Sequence, residues 1–146
     1  VFGEHGDSSF IPWSVANISN VPINECNALV AGSDMSMPKF KREDVEQYVR
    51  KSGGRVIERK GATFYAVSAS VCHICKCLLM GIDTTMTVST LMHGEYGVDD
   101  VALSVLNIVG KDGARAKVMM PLTDDEISKL RHSADTLKDV IKNLHI

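Results

Sequence analysis

The sequence predicts an α+β domain in which an antiparallel sheet packs with helices. Three observations support this prediction. Apolar residues recur at helical spacing in the middle of the chain, three strand-like segments separated by turn residues follow, and helical spacing returns at the end. The chain has 146 residues, enough for one domain with a hydrophobic core, and no repeat, low-complexity segment or linker divides it.

The N-terminal part is predicted to consist of short extended segments joined by turns. Phe2–Gly6 is expected to be the end of a strand that runs into a turn. Trp13–Ile18 and Val21–Ile23 are expected to be extended, with Ser19-Asn20 as their tight connection. Ala31–Pro38 is rich in small residues and Met, which predicts a loop or the approach to a helix.

Two helices are predicted in the middle of the chain. The first starts near Lys41, and its glycine pair Gly53-Gly54 is expected to interrupt it with a kink or a close helix contact. Gly61 separates it from the second helix, Ala62–Met80, which is apolar on nearly all sides and is therefore expected to be buried. Tyr48 of the first helix and Tyr65 of the second are expected to pack in the core. The helically spaced positions of the first helix are Val45, Tyr48, Val49, Ser52 and Val56.

Three strands and a last helix complete the predicted fold. The strands are Thr85–Leu91, Val101–Val109 and Ala116–Leu122, with turns at Gly94-Glu95-Tyr96-Gly97 and Lys111-Asp112-Gly113. Thr123 and Glu126 form a capping box that starts an amphipathic helix. The expected architecture is thus an antiparallel sheet with one buried helix, one kinked helix and a C-terminal amphipathic helix. The apolar stripe of the last helix is Ile127, Leu130, Ala134, Leu137, Ile141 and Leu144.

Composition argues against partners of two classes. The net charge of −2 offers no electrostatic basis for binding nucleic acid or an anionic membrane surface. No apolar run reaches the roughly 18 residues that cross a bilayer. The longest candidate, Ala66–Met80, is broken by His73 and Lys76. We therefore expect no nucleic acid and no membrane among the partners.

The start of the chain predicts a fragment or a trimmed product. It begins at Val1 and enters a dense polar cluster at once, without the features of a secretory signal. A protein matured by removal of a leader is the less favoured alternative. No glycine-rich strand–turn–helix fingerprint occurs, so the chain alone is not expected to bind a dinucleotide in that manner. Reduced thiols in a cytoplasmic protein are the simpler interpretation of the four cysteines, which are Cys26, Cys72, Cys75 and Cys77.

A cluster of sulfur and imidazole ligands invites comparison with a metal site. Zinc sites usually combine paired cysteines on turns with a second pair elsewhere. Here the candidates lie on one predicted helix and face different sides of it, so we expect no metal and interpret the cysteines as buried structural residues. The candidates are Cys72, His73, Cys75 and Cys77.

The segment Gly3-Glu4-His5-Gly6-Asp7-Ser8 is the strongest candidate for chemistry. An imidazole gains and loses a proton near neutral pH, so His5 at a strand end, flanked by carboxylates, suits a general acid–base. A solvent-exposed histidine in a turn is the structural alternative, and on the residues alone it is the commoner case.

Several collinear segments resemble the lactate/malate dehydrogenase family. The histidine segment, followed by Trp13-Ser14, is similar to the histidine motif of that family. The likeness continues in the same order to the end of the chain, and Ser19-Asn20, Gly53 and Gly54 depart from the family pattern only in local geometry. The remaining matching segments are Lys60-Gly61-Ala62-Thr63-Phe64-Tyr65-Ala66, Thr87-Val88-Ser89, Gly94-Glu95-Tyr96-Gly97 and Ser133-Ala134-Asp135-Thr136-Leu137.

The resemblance implies roles for three residues. Residues 1–146 would form the substrate-binding and catalytic C-terminal domain, and NAD would be bound mainly by an N-terminal domain absent from this chain. His5 would be the proton donor and acceptor at the substrate oxygen. Thr63 would lie near the substrate carboxylate, and Val67 would form an apolar wall beside the nicotinamide.

The resemblance also implies an activity and an assembly. The intact enzyme would interconvert pyruvate and L-lactate with NADH and NAD, since Glu4 and Thr63 favour a lactate enzyme over a malate enzyme of the same family. A malate dehydrogenase remains one alternative, and a non-catalytic self-associating module remains another. Family members are dimers or tetramers, so a homo-oligomer is expected. The chain alone would be inactive, because the groups that orient the histidine and hold the carboxylate belong to the other half.

Overall fold

The computed structural model describes residues 1–25 and 41–144. The predicted segment Ala31–Pro38, Cys26 and His145 lie outside the described residues. Within those residues the architecture is α+β, with three helices, a two-stranded sheet and a three-stranded sheet, both antiparallel. The predicted fold class is confirmed. No helix in the described ranges is both long and apolar enough to cross a membrane.

A short hairpin follows the N-terminal turn. Its strands are β1 (Asn17–Ile18) and β2 (Val21–Pro22), joined through Ser19 and Asn20 at φ angles of 51° and 67°. Left-handed geometry at both central residues matches the twist of paired strands, and asparagine tolerates it better than most residues. The tight connection predicted there is confirmed, whereas Trp13–Val15 forms a single 3₁₀ turn instead of an extended segment.

The first long helix, α1, runs from Arg42 to Lys60 without interruption. The predicted break at Gly53-Gly54 is therefore wrong. Among the described residues, nothing outside the helix backbone lies within 4 Å of a Cβ built at either glycine, so that part of the chain makes no close helix contact there. A helix of 19 residues tolerates a cost of about 1 kcal/mol per glycine, because acidic residues in its first turn and basic residues in its last complement the helix dipole. Gly61, at φ 78°, ends the helix as predicted.

The second helix, α2 (Tyr65–Met80), is not buried as predicted. Cys77 is its single buried residue, and Tyr65 is 78% exposed. Tyr48 on α1 is exposed as well, so the two tyrosines do not pack in the core. The sheet of this chain covers one side of α2, and a helix that is apolar all round needs protein on its other sides to be buried. The large apolar side chains left exposed on α2 include Val67, Val71, Leu79 and Met80.

The main sheet carries the hydrophobic core. Its strands are β3 (Thr84–His93), β4 (Asp99–Gly110) and β5 (Gly113–Lys117), in that spatial order. Along β4, alternate residues are buried, as expected for a strand with one face on the core. The two predicted turns join these strands, and the first two strands match the predicted segments within two residues at each end.

The third strand ends earlier than predicted, at Lys117 rather than Leu122. The Tyr96 hydroxyl takes over as backbone partner, because it accepts from the Met120 amide at 2.7 Å and lies 3.1 Å from the Met120 carbonyl. Pro121 then has no amide to offer a neighbouring strand. The Tyr96 side chain, from the turn before β4, therefore forms the hydrogen bonds to Met120 that a neighbouring strand would otherwise form.

The last helix, α3 (Asp124–Lys142), closes the core on one face of the sheet. Leu130 and Ala134 are buried, and Ile141 and Leu144 of the predicted stripe are about half exposed, at 48% and 52%. The buried cluster joins this helix, the sheet and the N-terminal segment. It comprises Phe2, Phe10, Met92, Val98, Val101, Leu103, Val105, Leu130 and Ala134.

The predicted capping box starts α3 and is linked to the N-terminal segment. The Thr123 hydroxyl accepts from the Glu126 amide, and the Glu126 carboxylate accepts from the Thr123 amide at 3.0 Å. The same carboxylate accepts from the Ser14 amide at 2.9 Å and from the Ser14 hydroxyl. Burial is the largest single influence and raises the pKa of Glu126, but the hydrogen bonds from Ser14 and Thr123 together outweigh it and hold the pKa below 4.5.

We expect Glu126→Gln to lower the free energy of unfolding at pH 7 by roughly 1–3 kcal/mol, because it weakens charge-assisted hydrogen bonds at a buried site. A carboxyl whose folded pKa is depressed stabilises the fold above its ordinary pKa, and this contribution is lost as pH falls through the folded value. The variant should therefore lose less stability than the parent between pH 5 and pH 3. Urea unfolding across that range measures both effects, with exposed Asp124→Asn as the control. Equal pH slopes in parent and Glu126→Gln would contradict the assignment.

Candidate active site

The candidate site is built around a tight turn at residues 4–9. Phe2 and Phe10 exchange backbone hydrogen bonds of 2.8 and 3.1 Å at the neck of the turn. Gly3 exchanges bonds of 3.0 and 2.8 Å with Ser104 on β4, which ties the neck to the main sheet. His5, Gly6 and Asp7 are exposed at the tip. The predicted strand end and turn are thus confirmed, and His5 is presented to solvent.

The inside of the turn is held by Glu4 and Ser8. The Ser8 hydroxyl donates to a Glu4 carboxylate oxygen at 2.5 Å, and the Ser8 amide lies 3.3 Å from the same oxygen. Beneath them lies Ser133 of α3, whose hydroxyl oxygen accepts from the Glu4 amide at 2.7 Å and lies 2.9 Å from the Ser8 hydroxyl. Ser133 is fully buried. The two residues that flank the tip are therefore fastened to the last helix.

His5 lines a cavity of about 430 Å³ between the turn, the sheet and α1. Asp7 and Arg50 bring charges of both signs to its wall, and Thr87 and Ser104 contribute hydroxyl groups from the sheet. The Arg50 guanidinium donates to the Ser9 carbonyl at 3.0 Å, so the cation is held against the base of the turn. A cavity that has charged and hydroxyl groups in its wall and an exposed imidazole at its edge suits proton exchange with a small polar molecule.

The Trp13 side chain secures α1 beside this cavity. The Trp13 indole donates to Glu46 at 2.8 Å, and Glu46 also lies 3.6 Å from Arg50 one helical turn later. Arg42 lies over the Trp13 ring at 5.5 Å. The segment Trp13-Ser14 therefore fixes α1 through Glu46 and fixes α3 through Glu126. The family resemblance includes Trp13-Ser14 but implies no partner for either residue.

Thr63 lines a second cavity, of about 630 Å³, where α1 ends and α2 begins. Tyr48 and Val56 of α1 and Phe64 of the connection contribute apolar surface. Arg55, Arg59 and Lys60 make the cavity positively charged. Thr63 is exposed, and it lies in a different cavity from His5, on another face of α1. The structure of this chain does not bring the two predicted site residues together.

Val67 lies on the first turn of α2, four positions after Thr63, and is 51% exposed. Of the cysteines in the described residues, Cys77 is buried as predicted, whereas Cys72 and Cys75 are exposed free thiols. The prediction that these two are buried is wrong, because they lie on the uncovered sides of α2. In residues 1–25 and 41–144, no three His, Cys, Asp or Glu side chains lie close enough together to hold a metal ion.

The contact of Ser133 with the turn that carries His5 is not predicted by the sequence. The motif match included Ser133 but gave it no role. A signal was present, since residue 133 lies next to the core-facing stripe of Leu130, Ala134 and Leu137. A serine beside a core-facing stripe needs a hydrogen-bond partner, and the partner proves to be the turn that carries His5.

The chain matches one family over nearly its whole length. The family model for the lactate/malate dehydrogenase alpha/beta C-terminal domain matches residues 1–145. The L-lactate dehydrogenase of Thermoanaerobacterium saccharolyticum is 41% identical over 146 residues, which are 100% of this chain and 46% of that protein. L-lactate dehydrogenase 2 of Clostridium acetobutylicum is 39% identical, covering 99% of this chain and 44% of that protein. The chain thus spans less than half the length of these relatives.

Solved structures show the same fold. The minor L-lactate dehydrogenase of Enterococcus mundtii, in a ligand-bound form, superposes with a TM-score of 0.87 at 28% identity, covering 100% of this chain and 45% of that one. The malate dehydrogenase of Archaeoglobus fulgidus, in complex with NADH, gives a TM-score of 0.81 at 31% identity, covering 99% of this chain and 43% of that one. The chain therefore belongs to the lactate/malate dehydrogenase family and corresponds to its alpha/beta C-terminal domain.

Proposed function

We propose that residues 1–146 are the substrate-side part of an NAD-dependent enzyme that interconverts pyruvate and L-lactate. The observation that carries the proposal is the exposed imidazole of His5 on an anchored turn, at the edge of a cavity with charged and hydroxyl groups in its wall, in a chain of this family. The curated relatives described above are L-lactate dehydrogenases. A separate nucleotide-binding part is included in the proposal, because the chain spans 46% of the first of them.

In the proposed reaction, His5 moves the proton. Protonated His5 donates to the substrate oxygen as pyruvate becomes lactate, and neutral His5 accepts that proton in the reverse direction. NADH, when bound, supplies the hydride. The hydrogen bonds at Glu4, Ser8 and Gly3 hold the turn in one place, which lowers the entropic cost of aligning the imidazole with the substrate.

Thr63 and Val67 are proposed to contact substrate and cofactor, respectively. A threonine hydroxyl can donate to the carboxylate of a 2-oxo or 2-hydroxy acid. Thr63 and His5 line separate cavities in this chain, so the proposal requires the intact enzyme to bring Thr63 toward the cavity beside His5. Val67 offers an exposed apolar side chain, which fits the face of a nicotinamide ring. These residues fit the nicotinamide end of NAD, so the rest of the cofactor falls to the other part of the enzyme.

The proposal is tested on the full-length gene product, whose intact mass is measured first. We expect NADH oxidation that depends on pyruvate, with kcat/KM for oxaloacetate lower by at least tenfold. The purified 146-residue chain should show no turnover, since it supplies His5 without the residues that bind the nucleotide. A strong preference for oxaloacetate would indicate a malate dehydrogenase instead. Steady turnover by the chain alone would contradict the proposal that a separate part of the enzyme binds the nucleotide.

A homo-oligomer, dimer or tetramer, is part of the proposal. The chain leaves apolar side chains exposed on both central helices, among them Tyr48 at 61%, Tyr65 at 78% and Leu79 at 88%. Surfaces of this kind are usually covered by partner protein. We expect the purified chain to self-associate between 1 and 100 µM, as measured by sedimentation velocity. A single monomeric species across that range would contradict this expectation.

A cytoplasmic location is also proposed. It is supported by the two exposed free thiols on α2, Cys72 and Cys75, which would be prone to oxidation in a disulfide-forming compartment. Thiol titration of the protein purified without reductant tests this point, and full recovery of free thiols is the expected result.

A further inference from the structure

We propose that Ser133 is a positioning residue that sets the orientation of the turn carrying His5. The inference rests on the proposed function, because it assigns to Ser133 a role in proton transfer by His5. The observation is a pair of contacts across the fold: the Ser133 hydroxyl oxygen accepts from the Glu4 amide at 2.7 Å and lies 2.9 Å from the Ser8 hydroxyl. Glu4 and Ser8 flank the tip on both sides.

The contacts inside the turn and the contact with Ser133 have different consequences. Bonds such as Ser8 to Glu4 and the Ser9 amide to the Gly6 carbonyl fix the shape of the turn. They do not determine how the turn is tilted relative to the sheet and the cavity. The backbone bonds of Phe2 and Gly3 hold the turn only at its neck, so the tip can tilt about the neck. Ser133 contacts the turn at Glu4, beyond these bonds.

The surroundings of Ser133 make the contact rigid. Its side chain is fully buried in α3, and Leu130 and Ala134 on the same helix are buried as well. Gly3, at φ 99°, approaches so closely that a Cβ added there would lie 2.6 Å from the Ser133 hydroxyl oxygen. A residue larger than glycine at position 3 would therefore push against Ser133. The burial of Ser133 and the close approach of Gly3 thus leave the Ser133 hydroxyl little freedom to move.

Loss of the hydroxyl leaves the Glu4 amide without this partner and releases the tilt of the turn. A catalytic group displaced by about 1 Å can lose about 10²-fold in rate, because proton transfer requires alignment with the reacting atom. The nucleotide is bound elsewhere in the proposed enzyme. A change in tilt should therefore appear in kcat and in the chemical step, and leave KM for NADH unchanged.

The experiment compares Ser133→Ala with Ala134→Gly in the full-length protein. Ala134 is the adjacent buried residue of α3, so its variant loosens the same helix without removing the contact to Glu4. For Ser133→Ala we expect kcat for pyruvate reduction to fall about 10- to 100-fold, with KM for NADH within twofold of the parent. The primary isotope effect with NADH deuterated at the transferred position should rise, since the chemical step becomes slower. For Ala134→Gly we expect a lower thermal midpoint with kcat and isotope effect within twofold.

If Ser133→Ala does not yield folded protein, Ser8→Ala replaces it, because this variant removes the contact between Ser8 and Ser133 from the side of the turn. We expect Ser8→Ala to lower kcat by a smaller factor than the one given for Ser133→Ala, and to raise the isotope effect. An unchanged isotope effect in the folded variant, or equal losses of kcat in Ser133→Ala and Ala134→Gly, would overturn the inference. A parent protein without pyruvate reductase activity would overturn the proposed function, and the inference with it.

Discussion

Replacing His5 with glutamine in the full-length protein is expected to lower kcat for pyruvate reduction by about 10²- to 10⁴-fold, the usual contribution of a general acid–base. Glutamine keeps a polar side chain of similar length but cannot gain and lose a proton near neutral pH. Because His5 is exposed at the tip of its turn, the substitution should not disturb the core. The thermal midpoint should remain within about 2 °C of the parent, since surface substitutions usually change stability by less than about 0.5 kcal/mol.

Two other histidines provide matched controls for this experiment. His93 at the end of β3 and His132 on α3 are both exposed. His93→Gln and His132→Gln should retain at least half of the parent kcat, because neither side chain lines the cavity beside His5. Stopped-flow measurement of NADH oxidation separates the chemical step from product release. If His5→Gln keeps more than a tenth of the parent rate, another group carries the proton.

Replacing Leu130 with alanine is expected to lower the free energy of unfolding by about 2–5 kcal/mol, the range for removing a buried leucine side chain. Leu130 has no exposed surface and lies in the cluster that joins α3 to β4 and to the N-terminal segment. The cavity left by alanine would lie beneath the same helix that holds Ser133. The variant should therefore lose stability first and activity only at temperatures where it begins to unfold.

Leu144→Ala is the control, because Leu144 follows the same helix but is 52% exposed. Its loss should be below about 1 kcal/mol, since about half of the side chain is already in contact with water. Urea unfolding at pH 7, followed by circular dichroism at 222 nm, gives both values. Equal losses for the two leucines would mean that α3 does not pack on the sheet as described.

Local patterns in the sequence were sufficient to predict the features that depend only on residues close together along the chain. The capping box at Thr123 and Glu126, the stop at Gly61 and the turns beside β4 were all predicted, because each depends on residues within a few positions. The role of His5 as a general acid–base was also predicted from one short segment, and the family resemblance favoured that role over an exposed turn histidine. The structure then added that the segment is an anchored turn at the edge of a cavity.

Contacts between distant parts of the chain were decided only by the tertiary structure. The apolar pattern of α2 predicted burial, but the pattern cannot tell whether this chain or another surface covers the helix. Beyond β5, the Met120 backbone pairs with the Tyr96 hydroxyl rather than with a strand. Thr63 and His5 line separate cavities on different faces of α1.

Ser133 shows the physical reason most clearly. It lies 129 positions from Glu4, and no periodicity or propensity connects two such residues. Sequence patterns report on the energy of local conformation and on the side of an element that faces the core. The partner that a buried hydroxyl meets is set by how the elements pack, and only the packed structure brings the last helix under the turn that presents His5.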